Sequence, residues 1–387
     1  MKESEPVTAR RARSRRLLLE AVRTHGALSR SELSRSTGLA RSAVAHGVQG
    51  LLDEGLLEER LPDAARRTAR RGRPSALLVP SAPPGWVAAI DFGHAHVSVA
   101  IADTVGDMRA ELHTPVDVDG RAIDAFDTAT AMFDRAVREV GIDPQQILAV
   151  CAGVPGPVDG TTGQVRSPTI LASWVDVDPA RELGARLGRR VHIANDADMG
   201  AHGELRFGAA TGARDFLYIK ASHGIGAGLV LDGRTYRGSV GIAGEIGHTQ
   251  LGDGGAWCRC GNRGCLETVV SSTQVRRQLA HVLAAEGDEW PTGMLENPVA
   301  LRILTTAGRT IGRVIADLCN CLNPSLVVIG GDLGTIGVPV VSGVRESLDQ
   351  YAQPATAATV DVRAAALGQR AELVGAMAYA IDTLTLR

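Results

Sequence analysis

Aromatic side chains are scarce in these 387 residues: Phe, Trp and Tyr together make up only 3%, so aliphatic and alanine packing must fill the core. No uninterrupted apolar run approaches the roughly 20 residues that span a bilayer, so no membrane partner is expected. The opening "MKESEPVTARRARSRR" has charges but no apolar segment behind them. No secretory signal is expected there, and a cytoplasmic location is. Six cysteines are too few for a disulfide scaffold in a chain of this length. What is present, 44% hydrophobic residues over 387 positions, suffices for two or three domains with their own cores.

A strong net charge is also missing, but the total of -2 conceals an asymmetry. Residues 1–80 hold 16 Lys and Arg against 9 Asp and Glu, a surplus of +7. The remainder holds 25 against 34, or -9. A basic head on an acidic body points the head towards a polyanion. Local pattern agrees. In "LSRSELSRSTGLARSAVAHGVQGLLDEGLLEE", Ser29 and Glu32 have the spacing of a capping box, and Gly38 marks a tight turn. A second helix is expected from about Ala40, with Val44, Val48, Leu51 and Leu52 inward. This is the helix-turn-helix arrangement, whose second helix enters the major groove. Arg30, Arg41, Ser42, Ala45 and His46 are the candidate contacts, and "GLLEERL" reads as a strand of a wing. Arg71-Gly72-Arg73-Pro74 has the core of an AT-hook, placing Arg71 and Arg73 in a narrow A·T minor groove. "PSAPPG", at 80–85, marks the end of the head.

From Trp86 onward, strands alternate with helices. "GWVAAIDFGHAHVSVAIADTVGDM" and "DFLYIKASHGIGAGLVLDGRTYRG" read as two hairpins with glycine-bearing turns. "ILAVCAGVPGPVD", "RRVHIANDADMGAHGELRFG" and "SLVVIGGDLG" read as buried strands leading into turns or helices. The recurrence of strand-to-glycine-turn units in both halves predicts two similar α/β lobes with a cleft between them.

Three cysteines crowd into eight residues within "EIGHTQLGDGGAWCRCGNRGCLE". Metal binding, disulfides and redox chemistry all compete for such a cluster. His248, Cys258, Cys260 and Cys265 offer one imidazole and three thiolates, a set suited to tetrahedral Zn²⁺. Cys258 and Cys260 are too close for a relaxed disulfide in most turns, while Gly261 and Gly264 let Cys265 fold back to the same point. Four protein ligands make a closed, structural site, one ion per chain. Cys151, Cys319 and Cys321 lie in apolar runs and read as buried thiols.

"GVPGPVD", "NDAD", "GIGAGLVLDG", "GIAGEIGH", "CRCGNRGCLE" and "VIGGDLG" together make the chain resemble the ROK proteins (repressors, open reading frames, kinases) over nearly its whole length. "SRSELSRSTGLARSAV" and "GRPSALL" resemble the DNA-binding regulators of that family, which the plain sugar kinases lack. The resemblance implies a winged helix-turn-helix head over 1–80, followed by an α/β actin/hexokinase-like (ribonuclease H-like) two-lobed ATPase fold. The first lobe is expected over 86–198, completed by a C-terminal helix at 365–387, and the second over 199–364. It implies a zinc held by His248, Cys258, Cys260 and Cys265, and sugar contacts from Asn195, Asp196, Glu245, His248 and Glu267. Asp196 matches the general base of the kinases. The nucleotide loops would use Asp91, Gly93, Gly224, Gly226, Gly330 and Gly331, but they depart from the kinase pattern. Asp91-Phe92-Gly93-His94-Ala95 stands for Asp-x-Gly-Gly-Thr, and Ser222-His223-Gly224 for Gly-Thr-Gly. Those losses call ATP and Mg²⁺ into question. The expected protein is a sugar-responsive transcriptional regulator, a repressor, acting as a homodimer or homotetramer on palindromic operator DNA. The alternatives are an ATP-dependent sugar kinase that retains a DNA-binding domain, and a zinc-structured scaffold without a ligand.

Overall fold

A computed structural model of the chain describes residues 14–15, 17–19, 21–22, 27–53, 55–60, 76–81, 85–159, 162–166, 172–175, 177–284 and 289–384. Contacts divide it into two compact units, residues 1–84 with 384–387, and residues 85–383.

In the first unit, α1 (Arg30–Thr37) begins at Ser29, whose hydroxyl accepts from the Glu32 amide while the Glu32 carboxylate accepts from the Ser29 amide. The helix ends at Gly38, whose φ of 68° lies in the left-handed region that glycine enters freely. A three-residue turn leads into α2 (Arg41–Asp53). Val44, Val48 and Leu51 of α2 pack into one buried cluster with Leu18, Leu33, Leu57 and Leu78. A three-stranded antiparallel sheet completes the unit, in the order β1 (Leu28–Ser29), β3 (Leu77–Pro80), β2 (Leu57–Arg60).

The second unit holds two five-stranded sheets of one topology. The first contains β4 (Trp86–Phe92), β5 (His96–Asp103), β6 (Met108–Pro115), β7 (Ile147–Val154) and β8 (Val191–Asn195), ordered β6-β5-β4-β7-β8. The second contains β9 (Phe216–Ala221), β10 (Ile225–Leu231), β11 (Arg234–Tyr236), β12 (Leu326–Gly330) and β13 (Asp361–Ala364), ordered β11-β10-β9-β12-β13. In each, three strands run as an antiparallel meander and two more add in parallel to the first strand. Parallel addition needs a crossover, and helices supply it. α3 (Ala122–Val140) connects β6 to β7, and α4 (Pro179–Leu187) precedes β8.

Four buried aromatic side chains, Phe92, Phe126, Phe133 and Trp174, lie in the core of the first sheet. Phe92, Phe126 and Trp174 meet edge to face with ring centroids 4.8–5.7 Å apart, each fully buried. On one face of the second sheet the core is almost wholly aliphatic, built from residues such as Leu217, Ile219, Leu304, Ile311, Val327 and Val344, while Phe216 and Tyr218 are buried on the other.

α5 (Asp196–Phe207) is continuous across position 198, so the boundary expected between 198 and 199 falls inside a helix. Its Ala201 and Leu205 share a buried cluster with Phe216, Tyr218 and Val230 of the second sheet. Between β11 and β12 lie α6 (Leu266–Val270), α7 (Ser272–Leu283) and the long α8 (Pro298–Leu322). α9 (Gly331–Ile336), α10 (Val338–Tyr351) and α11 (Pro354–Thr359) precede β13, and α12 (Ala371–Leu384) closes the chain. α12, expected to complete the first lobe, meets both sheets: Tyr379 faces His192 of β8 with ring centroids 6.3 Å apart, while Ala371 joins the second-sheet cluster and Glu372 accepts a hydrogen bond from Tyr218 at 3.0 Å. Among the described residues, no helix is long and apolar enough to cross a membrane.

Candidate ligand cavity and metal cluster

All five side chains expected to meet a sugar line one cavity of about 50 Å³, together with Lys220, His94, Gly156, Gly224 and Gly226. β8 and the start of α5 deliver Asn195 and Asp196. A short 3₁₀ turn over 246–248 carries His248 with Glu245 at its cap, and α6 carries Glu267 in its first turn. Asn195 is more occupied than expected. Its side-chain oxygen accepts from the amides of Ala197 and Asp198, capping α5, and its Nδ2 donates to the Gly156 carbonyl at 2.9 Å. The Glu267 carboxylate accepts from the Ile225 amide at 3.2 Å. Burial, helped by the like charges of Asp196, Glu267 and Asp198, pushes the Glu245 carboxyl up to about 7.

Asp196 is held on both oxygens: Oδ1 accepts from the Ala197 amide, and Oδ2 accepts from the Lys220 ammonium at 2.5 Å. Lys220 was not anticipated, although a lysine inside the apolar run "FLYIKA" is the sort of signal that marks a paired, buried charge. Burial works against its charge, but Asp196, Glu372 and Asp91 together hold it above the usual lysine range.

His248 faces two ways. Its Nδ1 lies 3.4 Å from Cys258 Sγ, and its Nε2 lies 3.7 Å from Glu245 Oε2. Cys260 and Cys265 bring their sulfurs to 3.7 Å, and one ligand atom from each of His248, Cys258, Cys260 and Cys265 lies within 4.8 Å of the other three. Tetrahedral coordination with Zn–S near 2.3 Å and Zn–N near 2.0 Å implies edges of roughly 3.8 Å between sulfurs and about 3.5 Å from sulfur to nitrogen. These two pairs already match those edges, so the cluster can hold a metal ion. All six cysteines are free thiols. Gly264 makes the loop possible: its φ is 65°, and a Cβ there would stand 2.2 Å from the Gly254 carbonyl oxygen. Cys151 and Cys319 are buried as expected, but Cys321 is exposed. Two residues apart on α8, Cys319 and Cys321 point to nearly opposite sides of the helix.

A second cavity of about 410 Å³ lies beside the first and shares His94 and Lys220 with it. Asp91, Gly93 and Gly331 line it, as expected for the nucleotide side. Gly224 and Gly226 instead line the smaller cavity, because the turn into β10 runs beside Glu267, and Gly330 lines neither. Asp91 accepts from His96 Nε2 at 3.1 Å, and its other oxygen is buried without a hydrogen-bond partner among the described residues. His94 does not stand free in its loop. Its Nδ1 is 2.7 Å from Asp119 Oδ1, and its ring leans on His223 with centroids 4.6 Å apart. Burial alone would raise the Asp119 carboxyl, but hydrogen bonds from His94 and Arg259 hold it below its ordinary range. Partial desolvation by the surrounding loops, with His94 beside it, pushes the still-exposed His223 down to about 4.

In the first unit, Arg41, Ser42, Ala45 and His46 are exposed along α2. Arg30 is committed to Glu59 through a 2.5 Å ion pair. Arg71 and Arg73 lie outside the described residues.

Paired similar sheets around polar cavities define an actin/hexokinase-like α/β protein, and the comparisons with known proteins agree. The family described as ROK matches residues 87–383, and the chain belongs to the ROK family. It is 27% identical over 385 residues to a putative xylose repressor of Caldicellulosiruptor sp. (strain Rt8B.4), covering 95% of each chain. It is 30% identical over 309 residues to a glucokinase of Halalkalibacterium halodurans, covering 75% of this chain and 93% of that one. Among solved structures, a ROK family transcriptional regulator, homolog of the E. coli MLC protein, superposes with a TM-score of 0.69 at 24% identity, over 96% of this chain and 98% of that one.

Proposed function

We propose that the chain is a DNA-binding transcriptional regulator, a repressor, whose ROK domain binds a sugar or sugar derivative without phosphorylating it. The observation that carries this reading is the Lys220–Asp196 ion pair lining the same cavity as Glu245, His248 and Glu267. A general base must be free to take a proton from the attacking hydroxyl. Here that carboxylate is shared between an ammonium and a backbone amide. The carboxylates of Glu245 and Glu267 remain available to sugar hydroxyls, which they accept in pairs.

The first unit is a winged helix-turn-helix in this reading, with α2 as the recognition helix and β2 and β3 as the wing. Its coverage supports that: the repressor relative matches 95% of the chain, whereas the glucokinase relative matches 75%. Arg41, Ser42, Ala45 and His46 meet the operator, while Arg30 serves the wing through Glu59. Arg71 and Arg73 extend into flanking A·T-rich minor groove. A homodimer or homotetramer in the cytoplasm presents two such heads to a palindromic site.

Residues 86–198 with the C-terminal segment, and 199–364, are taken as the two lobes, with α5 shared between them: its Met199 meets Cys151 of β7, and its Ala201 joins the second-sheet cluster. One structural Zn²⁺ per chain is held by His248, Cys258, Cys260 and Cys265. That ion fixes the loop leading into Glu267 and leaves His248 Nε2 facing the cavity. A sugar kinase that keeps its DNA-binding head is the second reading, favoured by the retained Asp196 and the 410 Å³ cavity beside Asp91.

The deciding experiment measures operator affinity across a panel of sugars and sugar phosphates already shown to bind by thermal shift. An effector should change operator affinity roughly 5- to 150-fold, and Glu245→Gln or Glu267→Gln should bind operator but ignore it. Robust hexose-dependent ATP turnover, abolished by Asp196→Asn, would establish the kinase instead. If no sugar that binds alters operator affinity, the switch is wrong.

A further inference from the structure

We infer that His94, Asp119 and His223 form a second metal site, for a divalent first-row transition ion, that ties the loops of the two sheets together. One ligand atom from each lies within 4.8 Å of the other two, in a group separate from the cysteine cluster. His94 comes from the turn between β4 and β5, and Asp119 from the segment after β6, both attached to the first sheet. His223 comes from the turn between β9 and β10 of the second. The ligands of a four-coordinate ion with bonds of about 2.0–2.2 Å stand roughly 3.3–3.6 Å apart. The His94–Asp119 hydrogen bond of 2.7 Å would open to that spacing on binding, and the wider pairs, within 4.8 Å, would close to it.

The backbone around these ligands is already set. The Val118 and Val116 amides donate to the His94 and Ala95 carbonyls, at 3.2 and 3.1 Å, and so lock the Asp119 segment to the His94 turn. The Asp119 carbonyl accepts from Ser173 Oγ at 2.8 Å. On the other side, the Ser222 carbonyl accepts from the Ser272 amide and the Ser222 hydroxyl from the Asp332 amide, anchoring the His223 turn. Asp119 divides its oxygens: Oδ1 faces His94, and Oδ2 accepts from Arg259 Nη1 at 3.0 Å. A second partner on the outer oxygen orients a ligating carboxylate, although the guanidinium charge also lowers affinity for a cation. Two imidazoles and one carboxylate suit Zn²⁺, Co²⁺ or Ni²⁺ and not the oxygen-seeking Mg²⁺ or Ca²⁺. His223 is exposed, which leaves the ion an access route and a position for water or another ligand. A staple between the two sheets favours one separation of them, so whatever else binds the cleft must feel it by linkage.

The site does not depend on sugar binding or on DNA binding, and its test involves neither. Full-length protein, with its as-purified metal content measured, is titrated with Co²⁺. The expected result is one further equivalent, bound without thiolate-to-cobalt charge transfer, and with a nitrogen- and oxygen-only shell by cobalt-edge absorption. Asp119→Asn and His223→Ala should each weaken it by more than about tenfold while the as-purified metal and the melting temperature are kept. Absence of a further equivalent at millimolar Co²⁺ would overturn the site, as would sulfur in its shell. So would unchanged Co²⁺ binding in the His94→Gln/His223→Ala double variant.

Discussion

Lys220 Nζ stands 2.5 Å from Asp196 Oδ2 where the two cavities meet, and both residues are largely buried. A buried pair of this kind is easily broken from one side. Lys220→Met leaves a carboxylate without its cation among Asp91 and Glu372, which should cost about 3–5 kcal/mol of unfolding free energy. Adding Asp196→Asn should recover part of that loss, because the stranded charge goes too. A double-mutant cycle in urea measures the coupling, and strictly additive losses would mean that the pair is not coupled.

Stability should fall as the pH rises from about 4.5 to about 7. Glu372 faces Tyr218, Lys220, Asp91 and Asp196; burial pushes it up to about 7, with Lys220 opposing and Asp91 and Asp196 adding. Asp198, paired with Arg237, is pushed by burial up to about 6. The unfolded chain releases these protons near the ordinary carboxylate range, so between the two values the folded state holds more protons. Each such group then lowers stability by up to about 1.4 kcal/mol per pH unit. Glu372→Gln keeps an acceptor for the Tyr218 hydroxyl and removes one proton from the balance. Thermal unfolding between pH 5 and 8 should show a shallower slope for that variant.

The metal loop should fail without the loss of any ligand. Gly264→Ala retains His248 and all three cysteines but places a methyl 2.2 Å from the Gly254 carbonyl at a φ of 65°. Zinc content by elemental analysis should drop well below the one equivalent expected of the wild type. Cys260→Ala should do the same and lose sugar binding with it, since the chain from Cys265 into Glu267 is then unanchored. Full zinc retention in both variants would contradict the assignment.

Of the head residues, Arg41 should matter to operator binding and Arg30 should not. Arg41→Ala removes an exposed side chain at the start of α2, and a base or phosphate contact there is worth about 1–3 kcal/mol. Arg30→Ala breaks only a surface pair with Glu59, worth about 1 kcal/mol or less to folding. Fluorescence anisotropy on operator DNA at fixed salt separates the two. Deletion of residues 1–80 should abolish the binding and leave sugar affinity nearly intact.

Much of this protein was legible in its sequence because local chemistry determines it. The Ser29 capping box, the left-handed turn at Gly38 and the apolar face of Val44, Val48 and Leu51 follow from spacing alone. So does the clustering of Cys258, Cys260 and Cys265, whose loop closes within eight residues around required glycines. Contacts between distant segments were another matter. Lys220 and Asp196 are 24 residues apart, and nothing in either neighbourhood says that β9 points its lysine at the first turn of α5. His94 was legible as a departure from a phosphate loop, but its partners, Asp119 and His223, are chosen by where two separate turns meet. Asn195 was read as a free contact because a sequence does not show that its amide is spent on capping α5 and on Gly156. Local structure depends on residues a few positions apart, which the sequence lists in order. The partner of a buried charge depends on strand order and helix packing, and only the folded chain decides those.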